Sequence, residues 1–252
     1  MFSDLAGKIA FVTGASSGLG ADFARALARH GVHVALGARR AEPLRQLEAE
    51  LIALGVRAKA LELDVTRPAS AAAAFAAGED ALGPINILVN NAGVTLTKPA
   101  LDCTEEDFDR VLDVNLNGAF TMCKLAGASM RARTGGSIIN IASILGMRQA
   151  AQVASYAVSK AALVQMTKSL ALEWARHGIR VNALAPGYIE TELNRAFFET
   201  EAGKAMVKRI PQRRLGRSEE LIGPLLLLAS EASSYMTGAV IAADGGHLVS
   251  TL

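Results

Sequence analysis

Cysteine is nearly missing from this chain: Cys103 and Cys123 are the only two in 252 residues. Two cysteines at this spacing make neither a disulfide framework nor a metal-ligand cluster, so both read as buried or half-buried small hydrophobes. The four histidines, His30, His33, His177 and His247, form no ligand pattern either. His30 and His177 precede Gly31 and Gly178, where an imidazole can meet the carbonyl end of a helix. No metal site is expected. Neither sign of charge is in excess, since 26 Lys+Arg against 24 Asp+Glu leave +2, and no basic run offers a stripe for nucleic acid. Long apolar runs are absent too. The greasiest stretch, Leu221–Ala229, is broken by Gly223 and Pro224 and falls far short of the roughly 20 residues that span a bilayer. Met1–Lys8 carries Asp4 and no apolar core of a secretion signal. No Pro/Gly/Ser linker divides the chain and no repeat is visible. The expectation is a soluble, cytoplasmic protein of one domain over residues 1–252, with no nucleic-acid or membrane partner.

What is present is apolar material in short blocks. Hydrophobic residues make up 51% and charged residues 20%, enough for a large core, and α/β folds run to this length as one domain. Lys8–Thr13, Val32–Gly37, Ala58–Leu63, Ile85–Asn90, Ser137–Ala142, Ile179–Leu184 and Ala239–Ala243 read as strands. Helical patterns separate them at Leu19–His30, about Glu42–Leu54, Pro68–Ala77, Glu105–Arg131 and Tyr156–His177. Thr104 suits the N-cap of the fourth helix, with Glu105–Asp107 in its first turn. Strands this apolar, alternating with helices, predict a Rossmann-like, doubly wound parallel sheet of about seven strands, covered on both faces.

Two local patterns carry chemistry. Between the first strand and its helix lies Thr13-Gly14-Ala15-Ser16-Ser17-Gly18-Leu19-Gly20. Gly14 permits the tight turn, Gly18 a close backbone approach to a diphosphate, and Gly20 close packing of helix on sheet, while the helix N-terminus offers free N–H groups. Gly14, Ser16, Ser17, Gly18, Leu19 and Gly20 are therefore cofactor-binding candidates. The second pattern is Tyr156-x-x-x-Lys160, two residues one turn apart on one helix face. With three tyrosines and eight lysines in the chain, chance supplies about 0.1 such pairs. An ammonium beside a phenol favours the phenolate. Bringing a tyrosine from about 10 to about 7 takes roughly 4 kcal/mol. Ser143, at the C-terminal end of the fifth strand, stands where open α/β sheets place ligands. Asn115 interrupts the fourth helix at a cost in helix propensity.

The order and spacing of these pieces, with Asp64-Val65, Asn90-Asn91-Ala92-Gly93, Val114-Asn115-Leu116 and Pro186-Gly187 followed by Thr191, resembles the short-chain dehydrogenase/reductase family almost end to end. The resemblance implies a nicotinamide-dependent enzyme that interconverts a ketone and a secondary alcohol. Tyr156 would be its acid/base, and Ser143 would orient the substrate oxygen. Lys160 would hold the nicotinamide ribose and lower the Tyr156 pKa, and Asn115 would hold a water behind Lys160. Asp64 and Val65 would flank the adenine. Asn91, Ala92 and Gly93 would line the cleft, with Asn90 on the adenosine ribose side, and Pro186, Gly187, Ile189 and Thr191 would meet the nicotinamide end. The resemblance also implies a homotetramer built on the two long helices and the C-terminal strand. At the end of the second strand, Ala38 stands where an NAD enzyme usually carries a carboxylate, and Arg39 and Arg40 follow. Guanidinium groups grip a ribose 2′-phosphate, so NADP(H) is the expected cofactor and NAD(H) the alternative.

Three readings stay open on function: a general alcohol dehydrogenase or carbonyl reductase, a sugar-acid or 3-oxoacyl-thioester reductase, and a non-catalytic nicotinamide-binding redox sensor. The substrate walls are expected from Val94–Pro99, Ile144–Ser155 and Glu190–Arg209, the last a lid at about 190–209 with Phe197, Phe198 and Met206. The run NNAGVTLTKPALD is similar to sugar-acid dehydrogenases of the family. Arg148 is either a carboxylate partner or a solvated loop charge.

Overall fold

The computed structural model describes residues 2–133, 135–191 and 194–250. Its backbone is one seven-stranded sheet, all parallel, in the order β3-β2-β1-β4-β5-β6-β7. The strands are β1 Ile9–Thr13, β2 His33–Ala38, β3 Ala58–Glu62, β4 Ile87–Asn90, β5 Gly136–Ile141, β6 Ile179–Pro186 and β7 Val240–Ala243. The connecting helices are α1 Gly18–Arg29, α2 Ala41–Ala53, α3 Pro68–Leu82, α4 Glu105–Leu112, α5 Ala119–Arg131, α6 Ala154–Trp174, α7 Arg195–Glu199, α8 Glu201–Val207 and α9 Ile222–Ala229.

Alternation along β1 shows how the layers arise. Ala10 and Val12 face a core shared with α1, α2 and α9, whereas Ile9 and Phe11 face one shared with α3, α5 and α6. Phe11 stacks on Phe75 of α3 at 5.8 Å between ring centroids, a burial worth about 2 kcal/mol per ring. The strand order reverses between β1 and β4, so their C-terminal ends part and open a crevice at the switch point.

Several boundaries differ from the sequence reading for physical reasons. α3 runs on to Leu82, past the expected stop at Ala77, and Gly78 within it packs close against the sheet: a Cβ there would sit 3.3 Å from Ala35 and Phe11. The expected helix Glu105–Arg131 is not uniform. The capping box at its start is present, with Thr104 Oγ1 accepting from Asp107 N–H at 3.2 Å. Residues Asp113–Gly118, however, widen into a π-helical turn between α4 and α5. Residues 222–229 form α9 despite Gly223 and Pro224. Pro224 lies in its first turn, where a backbone N–H has no intrahelical partner to lose. The two short helices α7 and α8 fill the segment expected as a lid, of which Glu192 and Leu193 lie outside the described residues. No helix among the described residues is long and apolar enough to cross a membrane.

Candidate active site

The glycine loop is bolted to the end of β4. Thr13 Oγ1 accepts from both Asn91 N–H and Ala92 N–H at 3.0 Å, and Asn91 Nδ2 donates to the carbonyls of Thr13 and Gly14 at 3.1 and 3.3 Å. The fit leaves no room for side chains at two glycines. A Cβ on Gly14 would lie 2.9 Å from Ala92 Cα, and one on Gly20 would lie 2.4 Å from the Gly14 carbonyl oxygen. Gly18 is the opposite case, with nothing within 4 Å of its Cβ position. Ser17, the N-cap of α1, makes no side-chain cap bond, so the first-turn N–H groups face the open side of the loop. Leu19 is half-buried behind them. Thr13 opens the glycine motif in the sequence, but the sequence reading gives its hydroxyl no role. A hydroxyl residue between an apolar strand and a glycine turn is the signal that could have found it.

Basic groups border this loop. Arg40 reaches Ser17 Oγ at 2.6 Å and Ser16 Oγ at 3.2 Å through Nη2. Arg39 is exposed beside it. At the end of β3, the Thr66 hydroxyl donates to Asp64 at 2.7 Å and holds that carboxyl below its usual value against the opposing effect of burial, with Arg39 and Arg67 adding to the lowering. Val65 is buried and packs on Gly118. The uncapped helix end, the open loop and the two arginines fit a dinucleotide with an added phosphate.

Asn90 departs from expectation. Its side chain turns away from the cleft and is buried, with Nδ2 donating to the Ala119 carbonyl at 3.2 Å and to Asn140 Oδ1 at 3.0 Å. Only its backbone is left to line the ribose side. Asn140 continues the chain to Thr167 Oγ1 at 2.9 Å, tying β4 and β5 to α5 and α6. Cys123 lies in this network, and burial pushes its thiol up to about 12, so it is an inert packing residue, as expected.

The π turn aims Asn115 inward at Val94 and at Ser159 of α6. Its neighbour Asn117 faces out and caps Asp113 instead. A Cβ on Gly93 would lie 3.3 Å from Asn115 Oδ1 and 3.6 Å from Lys160 Nζ, so the Asn91–Gly93 backbone passes directly over both. Lys160 is buried and donates to the Ile141 carbonyl at 2.7 Å, with Nζ 5.7 Å from the centre of the Tyr156 ring. Ser143, which follows β5, accepts from Leu145 N–H at 3.1 Å. Burial raises the half-buried Tyr156 phenol, and its hydrogen bond with Ser143 acts against that rise. Burial pushes Lys160 down to about 8. Ser143 is thus one protein group that favours the Tyr156 phenolate.

The remaining candidates sit at the end of β6. Pro186 closes the strand, and Gly187 packs so tightly on Asp244 that a Cβ would be 2.6 Å from its Cα. Ile189 is buried and bridges Gly216, and Thr191 N–H donates to Asn194 Oδ1 at 2.8 Å. Two of the expected walls meet: Lys98 N–H donates to the Gln152 carbonyl at 2.7 Å, and Lys98 Nζ pairs with Asp107 at 2.6 Å. Ser143 follows β5, the Asn91–Gly93 backbone follows β4, and Tyr156 and Lys160 come from α6, so a hydroxyl, a phenol and an ammonium stand together at the C-terminal edge of the sheet. No cluster of metal-ligating residues occurs among the described residues.

A protein-family model described as enoyl-(acyl carrier protein) reductase matches residues 14–247. The gluconate 5-dehydrogenase of Gluconobacter oxydans (strain 621H) is 38% identical, over 98% of this chain and 96% of that protein. A 2-dehydro-3-deoxy-D-gluconate 5-dehydrogenase of Escherichia coli (strain K12) is 39% identical, over 97% of this chain and 96% of that protein. The crystal structure of a gluconate 5-dehydrogenase from Burkholderia cenocepacia J2315 in complex with NADP and tartrate superposes with a TM-score of 0.94 at 36% identity, covering 99% of each chain.

Proposed function

The chain belongs to the short-chain dehydrogenase/reductase family of nicotinamide-dependent oxidoreductases, and from that premise we propose that it interconverts a secondary hydroxyl and a ketone on a sugar acid, using NADP(H). The observation that carries this reading is the meeting of Ser143, Tyr156 and Lys160 under the Asn91–Gly93 backbone, which is itself bonded to the glycine loop before α1. The substrate class rests on the names of relatives that align over nearly the whole chain.

In this reading Gly14–Gly20 and the α1 N-terminus hold the diphosphate, Arg39 and Arg40 the 2′-phosphate, and Asp64 and Val65 the adenine. Asn91, Ala92 and Gly93 line the cleft, and Pro186, Gly187, Ile189 and Thr191 face the nicotinamide end. Bound NADP(H) accepts or supplies the hydride. Ser143 orients the substrate oxygen, and Tyr156 Oη takes its proton in oxidation and returns it in reduction. Lys160 keeps further N–H donors beyond the one given to Ile141, enough to hold ribose hydroxyls and stabilise a phenolate. Asn115 keeps the wall over this centre in place.

Absorbance at 340 nm with NADP(H) and a panel of aldonates, keto-aldonates, polyols and simple ketones tests the proposal. No turnover of any member sinks the oxidoreductase reading, and turnover of neutral members alone sinks the sugar-acid reading. The segment 190–209 acts as a lid in this proposal. Phe197 is 46% exposed there, and such segments order over ligand. Its hydrogen exchange should slow when NADP(H) is added, and equal exchange with and without cofactor counts against a lid. A homotetramer is supported by Phe120 on α5 and Val158 and Leu172 on α6, exposed by 43%, 47% and 85%, apolar groups suited to a second copy. A monomer mass by light scattering at micromolar concentration refutes it.

A further inference from the structure

The hydride-transfer reading leaves one polar cluster unused, beside the same cleft. Arg148 stands in the loop after Ser143, and its Nη1 donates to the His247 carbonyl and to Ser250 Oγ, the latter at 2.8 Å. Both hydrogens of that nitrogen are thereby engaged. Nη2 and Nε have no partner among the described residues, and they form the edge that grips a carboxylate with two parallel bonds. The guanidinium is thus pinned by one nitrogen with its gripping edge free.

His247 stands next to it. The residue is 6% exposed, its Nδ1 is buried with no hydrogen-bond partner among the described residues, and its ring lies 5.5 Å from that of Tyr188. Tyr188 in turn packs at 5.9 Å against Phe198. Arg209 is exposed and makes no ion pair or side-chain hydrogen bond among the described residues. Arg209 directly precedes Ile210, Pro211 and Gln212, which pack on Gly245 and Gly246 next to His247. Beside the larger effect of burial, Arg148 and Arg209 both lower the pKa of Tyr188 and of His247. The carboxylate that acts on His247, Asp244, has both oxygens committed to backbone, accepting from Gly246 N–H at 2.9 Å and Leu248 N–H at 2.7 Å. The free edge of Arg148 and the unpartnered nitrogen of His247 therefore stand together, and neither Arg148 nor Arg209 forms an ion pair among the described residues.

We propose that Arg148, Arg209 and His247 form a carboxylate-binding subsite that selects a sugar acid and sets its anionic end apart from the carbon served by Tyr156. The subsite rests on the sugar-acid reading above. A neutral hydroxymethyl group at this end would leave a tethered, half-buried guanidinium edge unpaired. A site built to bond a polar group discriminates strongly against the analogue that lacks it.

The test compares D-gluconate with D-glucitol, which share the C5 carbinol and differ at C1 as carboxylate and hydroxymethyl. Steady-state kinetics with NADP are measured for the wild type, Arg148→Ala, Arg148→Lys and Arg209→Ala. The ratio of kcat/KM for gluconate over glucitol should fall roughly 30-fold in Arg148→Ala, mainly through KM, as expected for loss of charged hydrogen bonds. Arg148→Lys should recover part of the ratio. Arg209→Ala, which breaks no hydrogen bond among the described residues, should lower it less. If the wild type turns over gluconate and neither alanine variant changes the ratio, the subsite is wrong while the sugar-acid reading stands. If the wild type turns over glucitol alone, both fall. Should Arg148→Ala misfold through its lost tether to the C-terminal segment, Arg209→Ala decides, and an unchanged ratio there overturns the proposal.

Discussion

Asn115 grips the backbone of Val94 with both ends of its amide: Oδ1 accepts from Val94 N–H at 2.8 Å, and Nδ2 donates to the Val94 carbonyl at 2.9 Å. Nδ2 also donates to Ser159 Oγ at 2.9 Å, and Ser159 donates to the Tyr156 carbonyl at 2.7 Å. The extra residue of the π turn rotates Asn115 into this position, a use of such turns at functional sites. One side chain therefore joins the wall at Val94 to the helical turn between Tyr156 and Lys160. Asn115→Leu, of similar size, would strand the half-buried amide and carbonyl of Val94, costing about 1–3 kcal/mol. The expected result is a lower Tm together with a kcat/KM reduced at least tenfold, on the order of one misplaced catalytic group. A variant with wild-type Tm and rate would show that the link is idle.

Tyr156→Phe should remove turnover by roughly a thousandfold, the scale of general acid–base catalysis, while the Kd for NADPH by fluorescence titration stays within a few-fold. The hydroxyl matters where charge develops on the substrate oxygen. Retention of more than about a tenth of the wild-type rate would falsify the assignment of Tyr156 as acid/base.

Lys160 makes stability depend on pH in a definite sense. Burial pushes it down to about 8 from the ordinary 10.5, so the unfolded chain holds this proton more tightly than the folded protein does. Below pH 8 the group opposes folding in full, by about 3 kcal/mol, and the opposition fades as pH rises towards 10.5. Lys160→Met should therefore raise Tm at pH 7 while abolishing activity, and its advantage should shrink between pH 8 and 10.5. Calorimetry that finds a Tm difference independent of pH contradicts the linkage.

Cofactor choice should turn on the arginines after β2. Arg40 is already oriented over the loop by Ser16 and Ser17, and a guanidinium repays a phosphate where it cannot repay a hydroxyl. The wild type should favour NADPH over NADH in kcat/KM. Arg40→Leu should lose roughly tenfold or more with NADPH alone, the scale of a charged hydrogen bond. Ala38→Asp/Arg39→Leu should move the preference towards NADH. A wild type that prefers NADH sinks the assignment.

The amino-acid sequence by itself determined the sheet and the floor of the site. Runs such as Phe11-Val12 and Ile138-Ile139 are apolar on both faces because helices cover both sides of a parallel strand. Thr13–Gly20 and Tyr156–Lys160 are local spacings whose geometry follows from one turn and one helix. What only the tertiary structure decided lies between elements far apart in the chain. Asn90 turns inward because Cys123, Asn140 and Ala119 close around it. The helix through Asn115 bulges to reach Val94 and Ser159. Burial pushes Lys160 down because packing removes its water. Arg148 is held by a C-terminal segment whose nearness no local pattern records. Propensity and periodicity act over a few residues, whereas desolvation and side-chain pairing depend on what the finished fold brings together.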